Sequence, residues 1–373
     1  MDRQQILKNA AFVGLPSPVS STHHQIPQQS ARGRVRFTPA SWDKYFDTKR
    51  IVNVKENAFS IFEKGSLGPV LYLIHGGGFS ALSWALVSKA ITELVACRCV
   101  AVDLRGHGDT ITSDDSDLSA ETLSNDIADV IRTIFPNEQD SPPIVLIGHS
   151  LGGAVCVHAA SRNLIPKLVG LVVIDVVEGT ALESLACMES IVRGRPKCFP
   201  SIENAIEWAF RSGHIKNPES ACVSMIGQLM PMDSSSVGDS TDVCQAVSAC
   251  DTIMEDGAPP ETDTPKESTK TLIWRIDLLK TQPFWLGWFT GLSKMYLECP
   301  TPKLLLLAGM DRLDKDLTIG QMQGKFQMVV LPKSGHAVQE DQPVKVAEAL
   351  ATFLVRNKIV EAASEFQRTF PCC

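Results

Sequence analysis

Several features that would assign a protein to a class are missing from this chain of 373 residues. Its 11 cysteines include no C-x-x-C pair, so we expect no zinc-ribbon type of metal site. No apolar run reaches the ~20 residues of a membrane-spanning helix, and Met1–Ser30 lacks the apolar core of a secretory signal. The net charge of -7 argues against a general nucleic-acid binder. We therefore expect reduced thiols, a cytoplasmic or nuclear location, and no metal, organic cofactor, nucleic acid or membrane as a partner.

What the chain does contain is an alternation of short apolar runs and helical patterns. Continuous apolar runs are typical of parallel strands that are covered on both faces. Ser119 can cap one of the intervening helices, and Pro343 begins another. The alternation predicts an α/β fold, a mostly parallel sheet with helices on both faces. The expected strands, the first two of which precede the alternation, are Ile51–Val54, Ala58–Phe62, Val70–Ile74, Cys99–Asp103, Ile144–Ile147, Leu168–Val176, Lys303–Leu307 and Gln327–Leu331.

The alternation is interrupted between residues 181 and 300, where helical patterns continue and strand patterns vanish. Inside this interruption, residues 233–268 carry nine acidic residues and one Lys, a charge of -8, diluted by Ser, Thr and Pro. Such a composition indicates a disordered acidic loop. We expect residues 1–40 to be a flexible leader, residues 41–180 and 301–373 to form the core, and the insertion 181–300 to form a helical cap over the functional site.

The strongest chemical motif is Gly148-His149-Ser150-Leu151-Gly152, between an expected strand and a helical pattern. A strand, a G-x-S-x-G turn and a helix together form the nucleophile elbow of α/β hydrolases, in which the glycines make room for an exposed serine hydroxyl. Ser150 is therefore the candidate nucleophile. In these enzymes the residue after the nucleophile, here Leu151, supplies one backbone N–H to the oxyanion hole.

A second motif, His75-Gly76-Gly77-Gly78, directly follows the expected strand Val70–Ile74. The equivalent loop of α/β hydrolases supplies the other N–H of the oxyanion hole, and glycine lets its backbone approach the substrate. The sequence leaves open whether the donor is Gly77, Gly78 or Phe79.

The candidate general base is His336, which follows the last expected strand and precedes the last helix. Two carboxylates, Asp175 and Asp311, each follow an expected strand and preserve the order Ser, Asp, His. The carboxylate of such a triad orients the imidazole and stabilises its charged form. Asp311 has the commoner placement for this fold, after the penultimate strand, but the pattern alone does not decide between the two.

Longer stretches of the chain resemble protein phosphatase methylesterases. The resemblance runs from about Trp42 to the C-terminus and is weakest in the acidic segment. It implies an α/β-hydrolase fold with a helical insertion, and it implies that the acid is Asp175, with Asp311 second. The stretches that carry it are Ile174–Ala181, Arg193–Lys197, Glu203–Trp208, Leu304–Gly309 and Asp311–Met328.

The resemblance further implies a function. It is hydrolysis of the methyl ester on the C-terminal Leu of a type 2A phosphatase catalytic subunit, together with binding that holds this phosphatase inactive. Two alternatives remain at this point, because a fold does not fix a substrate. One is an esterase for small metabolites, and the other is a phosphatase-binding inhibitor in which hydrolysis is secondary.

Candidate partner contacts lie in and after the insertion. Arg193, Arg195 and Lys197 could meet an acidic tail or its carboxylate through charge-assisted hydrogen bonds. Met322, in the segment Arg312–Gln327, has the flexible apolar side chain that suits an adaptable contact surface. The insertion also holds four of the six Trp residues, which could be interface anchors or the core of the insertion itself; they are Trp208, Trp274, Trp285 and Trp288.

Overall fold

The computed structural model describes residues 36–137, 139–232, 271–310 and 313–361. Most of the expected leader, the acidic segment 233–268, and both Asp311 and Arg312 lie outside the described residues.

An eight-stranded sheet in the order β1-β2-β4-β3-β5-β6-β10-β11 forms the centre of the molecule. The pairs of β2 with β1 and β4 are antiparallel, and all other pairs in this sheet are parallel. All eight expected strands are confirmed, with ends shifted by at most three residues. The strands are β1 (Thr48–Val54), β2 (Asn57–Lys64), β3 (Val70–Ile74), β4 (Arg98–Val102), β5 (Ile144–His149), β6 (Leu168–Ile174), β7 (Cys198–Phe199), β8 (Leu229–Pro231), β9 (Leu272–Trp274), β10 (Lys303–Leu307) and β11 (Gln327–Val330).

Helices cover both faces of this sheet. The alternating side chains of β3 show why the strand is apolar throughout: Tyr72 packs into one core cluster, and Leu71 and Leu73 pack into the other. The Oγ of Ser119 accepts the N–H of Thr122 at the start of its helix, as the sequence predicts. The helices are α1 (Ala85–Leu94), α2 (Ala120–Ile134), α3 (Leu151–Ser161), α4 (Glu178–Arg193), α5 (Ile202–Arg211), α6 (Pro218–Gln228), α7 (Trp285–Phe289), α8 (Leu292–Glu298), α9 (Lys315–Met322), α10 (Val338–Asp341) and α11 (Pro343–Arg356).

The insertion between β6 and β10 is mostly helical, as expected, but it also contains strands. Strands β7, β9 and β8 form a small antiparallel sheet, so the expectation that strands vanish here is wrong. These strands have two or three residues each, too few to produce a periodic pattern. Their side chains pack with α5 and α6 around a separate apolar cluster that includes Phe199, Ile206 and Met225.

The parallel strands place the sequence motifs together. The glycine loop follows β3, Ser150 follows β5, Asp175 follows β6, and His336 lies in the connection after β11. Because the carboxyl ends of parallel strands lie at the same edge of a sheet, these four segments converge there.

Candidate active site

The turn between β5 and α3 carries Ser150 in a strained conformation, with φ 52° and ψ -121°. Close packing of the turn explains the two glycines around it. A Cβ atom on Gly148 would lie 2.2 Å from the Gly152 carbonyl oxygen, and one on Gly152 would lie 2.3 Å from the Ile74 carbonyl oxygen. The Ser150 side chain is left partly exposed, although the residues on either side of it are buried.

The structure brings three of the sequence candidates into one chain of hydrogen bonds. The hydroxyl of Ser150 donates to His336 Nε2 across 2.9 Å, and His336 Nδ1–H donates to Asp175 Oδ2 across 2.8 Å. Asp175 is fully buried, and its other oxygen accepts the N–H of Ala308 at 2.9 Å. This is the geometry in which a histidine can take a proton from a serine while a carboxylate fixes its tautomer. The competing candidate, Asp311, lies outside the described residues.

Supporting contacts that the sequence analysis missed hold His336 in place. His149 Nε2–H donates to the backbone carbonyl of His336 at 2.9 Å. The carboxylate of Asp341 accepts the N–H of the adjacent Gly335 at 2.5 Å and the N–H of Lys216 at 2.7 Å. Burial raises the pKa of Asp341, and the two backbone hydrogen bonds oppose that rise. In the sequence, the position of His149 directly before the candidate nucleophile is the one hint that it has a role. The sequence pattern does not reveal that its hydrogen-bond partner lies 187 residues away.

The backbone of the glycine loop is already engaged at two of the three candidate donors. Gly78 N–H donates to His107 Nε2 at 3.0 Å, and Phe79 N–H donates to the Gly76 carbonyl at 3.1 Å. Burial lowers the pKa of His107 to about 4, so its ring is neutral at physiological pH. Its Nδ1–H donates to the Arg105 carbonyl, which leaves Nε2 as the acceptor for the loop.

Two amides remain beside the serine. Among the described residues, the N–H groups of Gly77 and Leu151 have no protein acceptor, and both residues line the pocket that contains Ser150. Leu151 is also the first residue of α3, where the unsatisfied N–H groups of a helix favour negative charge. Two unoccupied N–H donors beside a serine hydroxyl can stabilise a developing oxyanion.

The pocket itself is small and apolar. Its volume is about 60 Å³, which is room for roughly four water-sized groups. Ser150, His336, Gly77 and Leu151 all line it. Most of its wall comes from the insertion, through the apolar side chains of Met188, Val192, Leu278, Trp285, Trp288 and Phe289.

The tryptophans of the insertion are core and pocket residues. Trp285 and Trp288 are 4% and 3% exposed, and the indole N–H of Trp288 donates to the Leu118 carbonyl at 2.7 Å. Trp208 and Trp274 are partly buried and pack against each other, with ring centroids 5.6 Å apart. These positions favour core packing over interface anchoring: Trp208 and Trp274 pack on the apolar cluster of the insertion, and Trp285 and Trp288 belong to a cluster of the main core.

The candidate partner contacts occupy two separate places. Arg193, Arg195 and Lys197 line a second cavity, of about 440 Å³, next to the pocket. Met322, at the end of α9, is 80% exposed. Phe326, in the same segment Arg312–Gln327, is buried against Tyr296 and therefore offers no surface.

The described ranges lack two other kinds of feature, a metal-binding cluster and a membrane-spanning helix. They contain no group of three or more His, Cys, Asp and Glu side chains placed to hold a metal ion. None of the helices in that part of the chain combines the length and the apolar character needed to cross a bilayer.

The sheet topology and the Ser–His–Asp arrangement are those of an α/β hydrolase, and the sequence model of the alpha/beta hydrolase family matches residues 71–349. Protein phosphatase methylesterase 1 from Mus musculus and from Homo sapiens are each 51% identical to this chain over 353 residues. In both comparisons the aligned region covers 91% of this chain and 91% of the relative. This chain therefore belongs to the protein phosphatase methylesterase family of α/β hydrolases, which confirms the resemblance found in the sequence.

A likeness to solved structures concerns the fold. The crystal structure of E-2-(acetamidomethylene)succinate hydrolase matches with a TM-score of 0.60 and 20% sequence identity, covering 82% of this chain and 98% of that one. At this identity the likeness supports the α/β-hydrolase architecture and carries no information about the substrate.

Proposed function

We propose that this protein is a serine esterase that removes the methyl ester from the C-terminal leucine of a type 2A protein phosphatase catalytic subunit. The observation that carries the proposal is the hydrogen-bonded chain from Asp175 through His336 to Ser150, whose last two members line a small, mostly apolar pocket. Family membership supports a methylated protein phosphatase as the substrate, since the relatives are named as protein phosphatase methylesterases.

The proposed reaction begins with attack of Ser150 Oγ on the carbonyl carbon of the methyl ester. His336 Nε2 takes the hydroxyl proton, and the carboxylate of Asp175 stabilises the resulting imidazolium. The N–H groups of Gly77 and Leu151 hold the oxyanion. His336 then returns the proton to the leaving methoxide, which departs as methanol and leaves an acyl-Ser150 ester.

The second half of the reaction repeats these roles with water. His336 takes a proton from a water molecule that attacks the acyl-enzyme, and then returns that proton to Ser150 Oγ. The leucine leaves as a free carboxylate, so one ester and one water become one acid and one methanol. The chain's own residues supply every proton transfer in this scheme.

The pocket suits a leucyl ester. Its volume of about 60 Å³ has room for roughly four water-sized groups, which is the scale of an isobutyl side chain. The walls from Met188, Trp285 and Phe289 are apolar, so burial of that side chain is favourable. The insertion 181–300 supplies these walls, which supports its proposed role as a cap over the site.

A contact surface for the phosphatase is proposed around α9. The 80% exposure of Met322 supports this, because a flexible, exposed apolar side chain can adapt to a partner. We further infer that the phosphatase is held inactive while it is bound. A Ser150→Ala protein should then inhibit phosphatase activity in proportion to its binding, although it removes no methyl groups.

The test compares substrate classes. Methanol release from a methylated type 2A catalytic subunit is measured beside hydrolysis of small activated esters and of the methyl ester of a single amino acid. If the proposal is right, kcat/KM should be higher for the methylated phosphatase than for the small activated esters or the amino acid methyl ester. Efficient hydrolysis of small esters without demethylation of the phosphatase would instead support the small-molecule esterase, and absence of both activities with retained binding would support the non-catalytic inhibitor.

A further inference from the structure

The pocket that contains Ser150 opens beside a larger space. This outer cavity, of about 440 Å³, is built from two segments of the insertion, residues 192–197 and 273–279. Val192, Arg195 and Leu278 lie in the walls of both spaces. A peptide whose terminal ester lies against Ser150 would therefore pass Arg195 on its way out of the inner pocket.

The side chain of Arg195 is partly buried, and no salt-bridge partner for it is present among the described residues. The central carbon of its guanidinium lies 5.0 Å from the ring centroid of Trp274, which is a cation–π contact. Its Nε atom is buried and has no hydrogen-bond partner within the described residues. Burial lowers the pKa of Arg195 to about 10, so the side chain stays charged at neutral pH.

The side chain also lies close to the catalytic backbone. Arg195 Nη1 is 3.5 Å from the position that a Cβ atom would take on Gly78, the residue next to the proposed oxyanion donor Gly77. A buried guanidinium donor without an acceptor costs free energy in the unbound protein, and a substrate group that accepts from it removes that cost.

The outer cavity has an excess of positive charge. Three cationic residues line it, whereas Asp277 is its acidic residue among those described. Arg193 already forms a salt bridge with Glu189 at 2.8 Å. The carboxylate of Asp277 accepts the N–H of Leu279. Among the described residues neither Arg195 nor Lys197 forms a salt bridge, and of these two only Arg195 lines both spaces. The planar fork of arginine is suited to a carboxylate.

We propose that Arg195 binds a carboxylate of the peptide that this esterase acts on. The inference rests on the proposed function, since it takes the substrate to be a peptide with a C-terminal methyl ester. Two carboxylates could reach this position. One is an acidic side chain a few residues before the ester, and the other is the terminal carboxylate that hydrolysis creates.

The first arm of the test uses synthetic hexapeptides that end in leucine methyl ester, with Asp or Asn placed in turn at each of the three preceding positions. A charge-assisted hydrogen bond favours the Asp peptide by about tenfold to a hundredfold in kcat/KM at the matching position. Arg195→Gln should reduce this ratio to about one, and Arg195→Lys should retain part of it. The matched control is Arg211→Gln, because Arg211 is exposed on α5 and pairs with Glu207.

The second arm identifies the other source of the carboxylate. Product peptides that contain Asn and end in either a free carboxylate or an amide are compared as inhibitors of small-ester hydrolysis by wild type and Arg195→Gln. Stronger inhibition by the free acid, lost in Arg195→Gln, assigns the terminal carboxylate. Labelling of Ser150 by a fluorophosphonate and an unchanged melting temperature establish that each variant is folded.

The possible outcomes distinguish the role proposed for Arg195 from the proposed esterase function. A preference for the carboxylate in either arm that Arg195→Gln removes supports the proposal and names its source. Equal ratios for wild type and Arg195→Gln in both arms overturn it, while hydrolysis of the peptide esters still supports the proposed function. Inhibition by acidic peptides without hydrolysis of any peptide ester would contradict the proposed function and leave the anion site supported.

Discussion

The carboxylate of Asp175 lies where it can govern the protonation of His336. It is fully buried, bonds to Nδ1 at 2.8 Å, and is held by the N–H of Ala308. The chemistry proposed for Ser150 depends on this arrangement, because a neutral partner at Nδ1 would neither fix the required tautomer nor stabilise the imidazolium.

Replacement of this acid by its amide is the corresponding prediction. Asp175→Asn keeps the shape of the side chain but loses its charge, so kcat for ester hydrolysis should fall by about four orders of magnitude. Asp311→Asn is the matched control, and its effect should be far smaller. The measurement is kcat on a small activated ester for both purified variants. A larger loss in Asp311→Asn would show that the other carboxylate serves His336.

For single residues, the sequence motifs identify the candidate catalytic side chains but leave their hydrogen-bond partners ambiguous. Ser150 and His336 were predicted from a local turn and from chain order. The choice between Asp175 and Asp311 stayed open on pattern alone, because both follow strands and the order of strands in the sheet is a long-range property. The contact of His149 with the His336 loop was missed for the same reason, since these two residues are 187 positions apart in the chain.

Two helices far apart in sequence meet through a buried carboxyl group. Glu340 on α10 accepts hydrogen bonds from the hydroxyls of Ser220 at 2.8 Å and Ser224 at 3.1 Å, both on α6 of the insertion. Burial raises the pKa of Glu340 to about 8. The connection that carries His336 is thereby attached to the insertion, so the two parts of the molecule share this contact.

A pH-dependent stability follows from that shift. The folded protein binds the Glu340 proton more tightly than the unfolded chain, whose glutamate has a pKa near 4.5. This contribution to stability is present below about pH 4.5 and is lost as the pH rises towards 8. Glu340→Gln keeps the hydrogen-bonding shape without the ionisation, so its melting temperature should fall less than that of wild type between pH 5 and pH 8.

The matched control for this measurement is Glu203→Gln, on an exposed position of α5. Its melting temperature should follow that of wild type across the same range. Parallel curves for wild type and Glu340→Gln would show that Glu340 does not carry the pH dependence.

Helix α9 provides the test of the partner surface. Met322→Asp places a charge on a side chain that is 80% exposed, so the fold should be retained. Binding of the phosphatase should weaken, and the ratio of phosphatase demethylation to small-ester hydrolysis should fall at least tenfold. Leu67→Asp changes another exposed apolar residue, 72% exposed in the loop before β3, and should leave that ratio unchanged. A ratio that is equal in both variants would remove Met322 from the interface.

Long, strongly patterned elements were predicted well, and short ones were not. The central strands β3, β5 and β10 are buried along their whole length because helices cover both of their faces, and this produces a clear apolar signal. Strands β7–β9 have two or three residues and depend on packing with α5 and α6 for their existence. Local sequence holds too little information to specify such elements.

The molecule as a whole combines a sheet that positions the proposed catalytic groups with an insertion that lines the pocket beside them. The insertion supplies most of the wall of the pocket and all of the described lining of the outer cavity. The acidic segment 233–268 lies between β8 and β9 in the chain, and these two strands pair in antiparallel fashion. Beyond the paired strands, Met232 N–H donates to the Thr271 carbonyl at 2.9 Å. Met232 and Thr271, which flank residues 233–270, are therefore adjacent, and a very short connection can join them.

Deletion of residues 233–268 tests whether the segment contributes to the core. It carries a charge of -8 and few large apolar residues, so little buried surface should be lost. The deletion leaves two residues between Met232 and Thr271, the length of a tight hairpin loop. The melting temperature should change by no more than about 2–4 °C, with small-ester hydrolysis close to that of wild type. A much larger fall would show that the segment packs against the folded domain.

The central claim is that Ser150 performs the demethylation, and one measurement tests it most directly. Wild type and Ser150→Ala are incubated with a type 2A catalytic subunit that carries a labelled methyl ester, and release of labelled methanol is followed. The account predicts release by wild type and a rate at least about a thousandfold lower in Ser150→Ala, with phosphatase binding and melting temperature unchanged. Methanol release by folded Ser150→Ala at a rate close to that of wild type would contradict it.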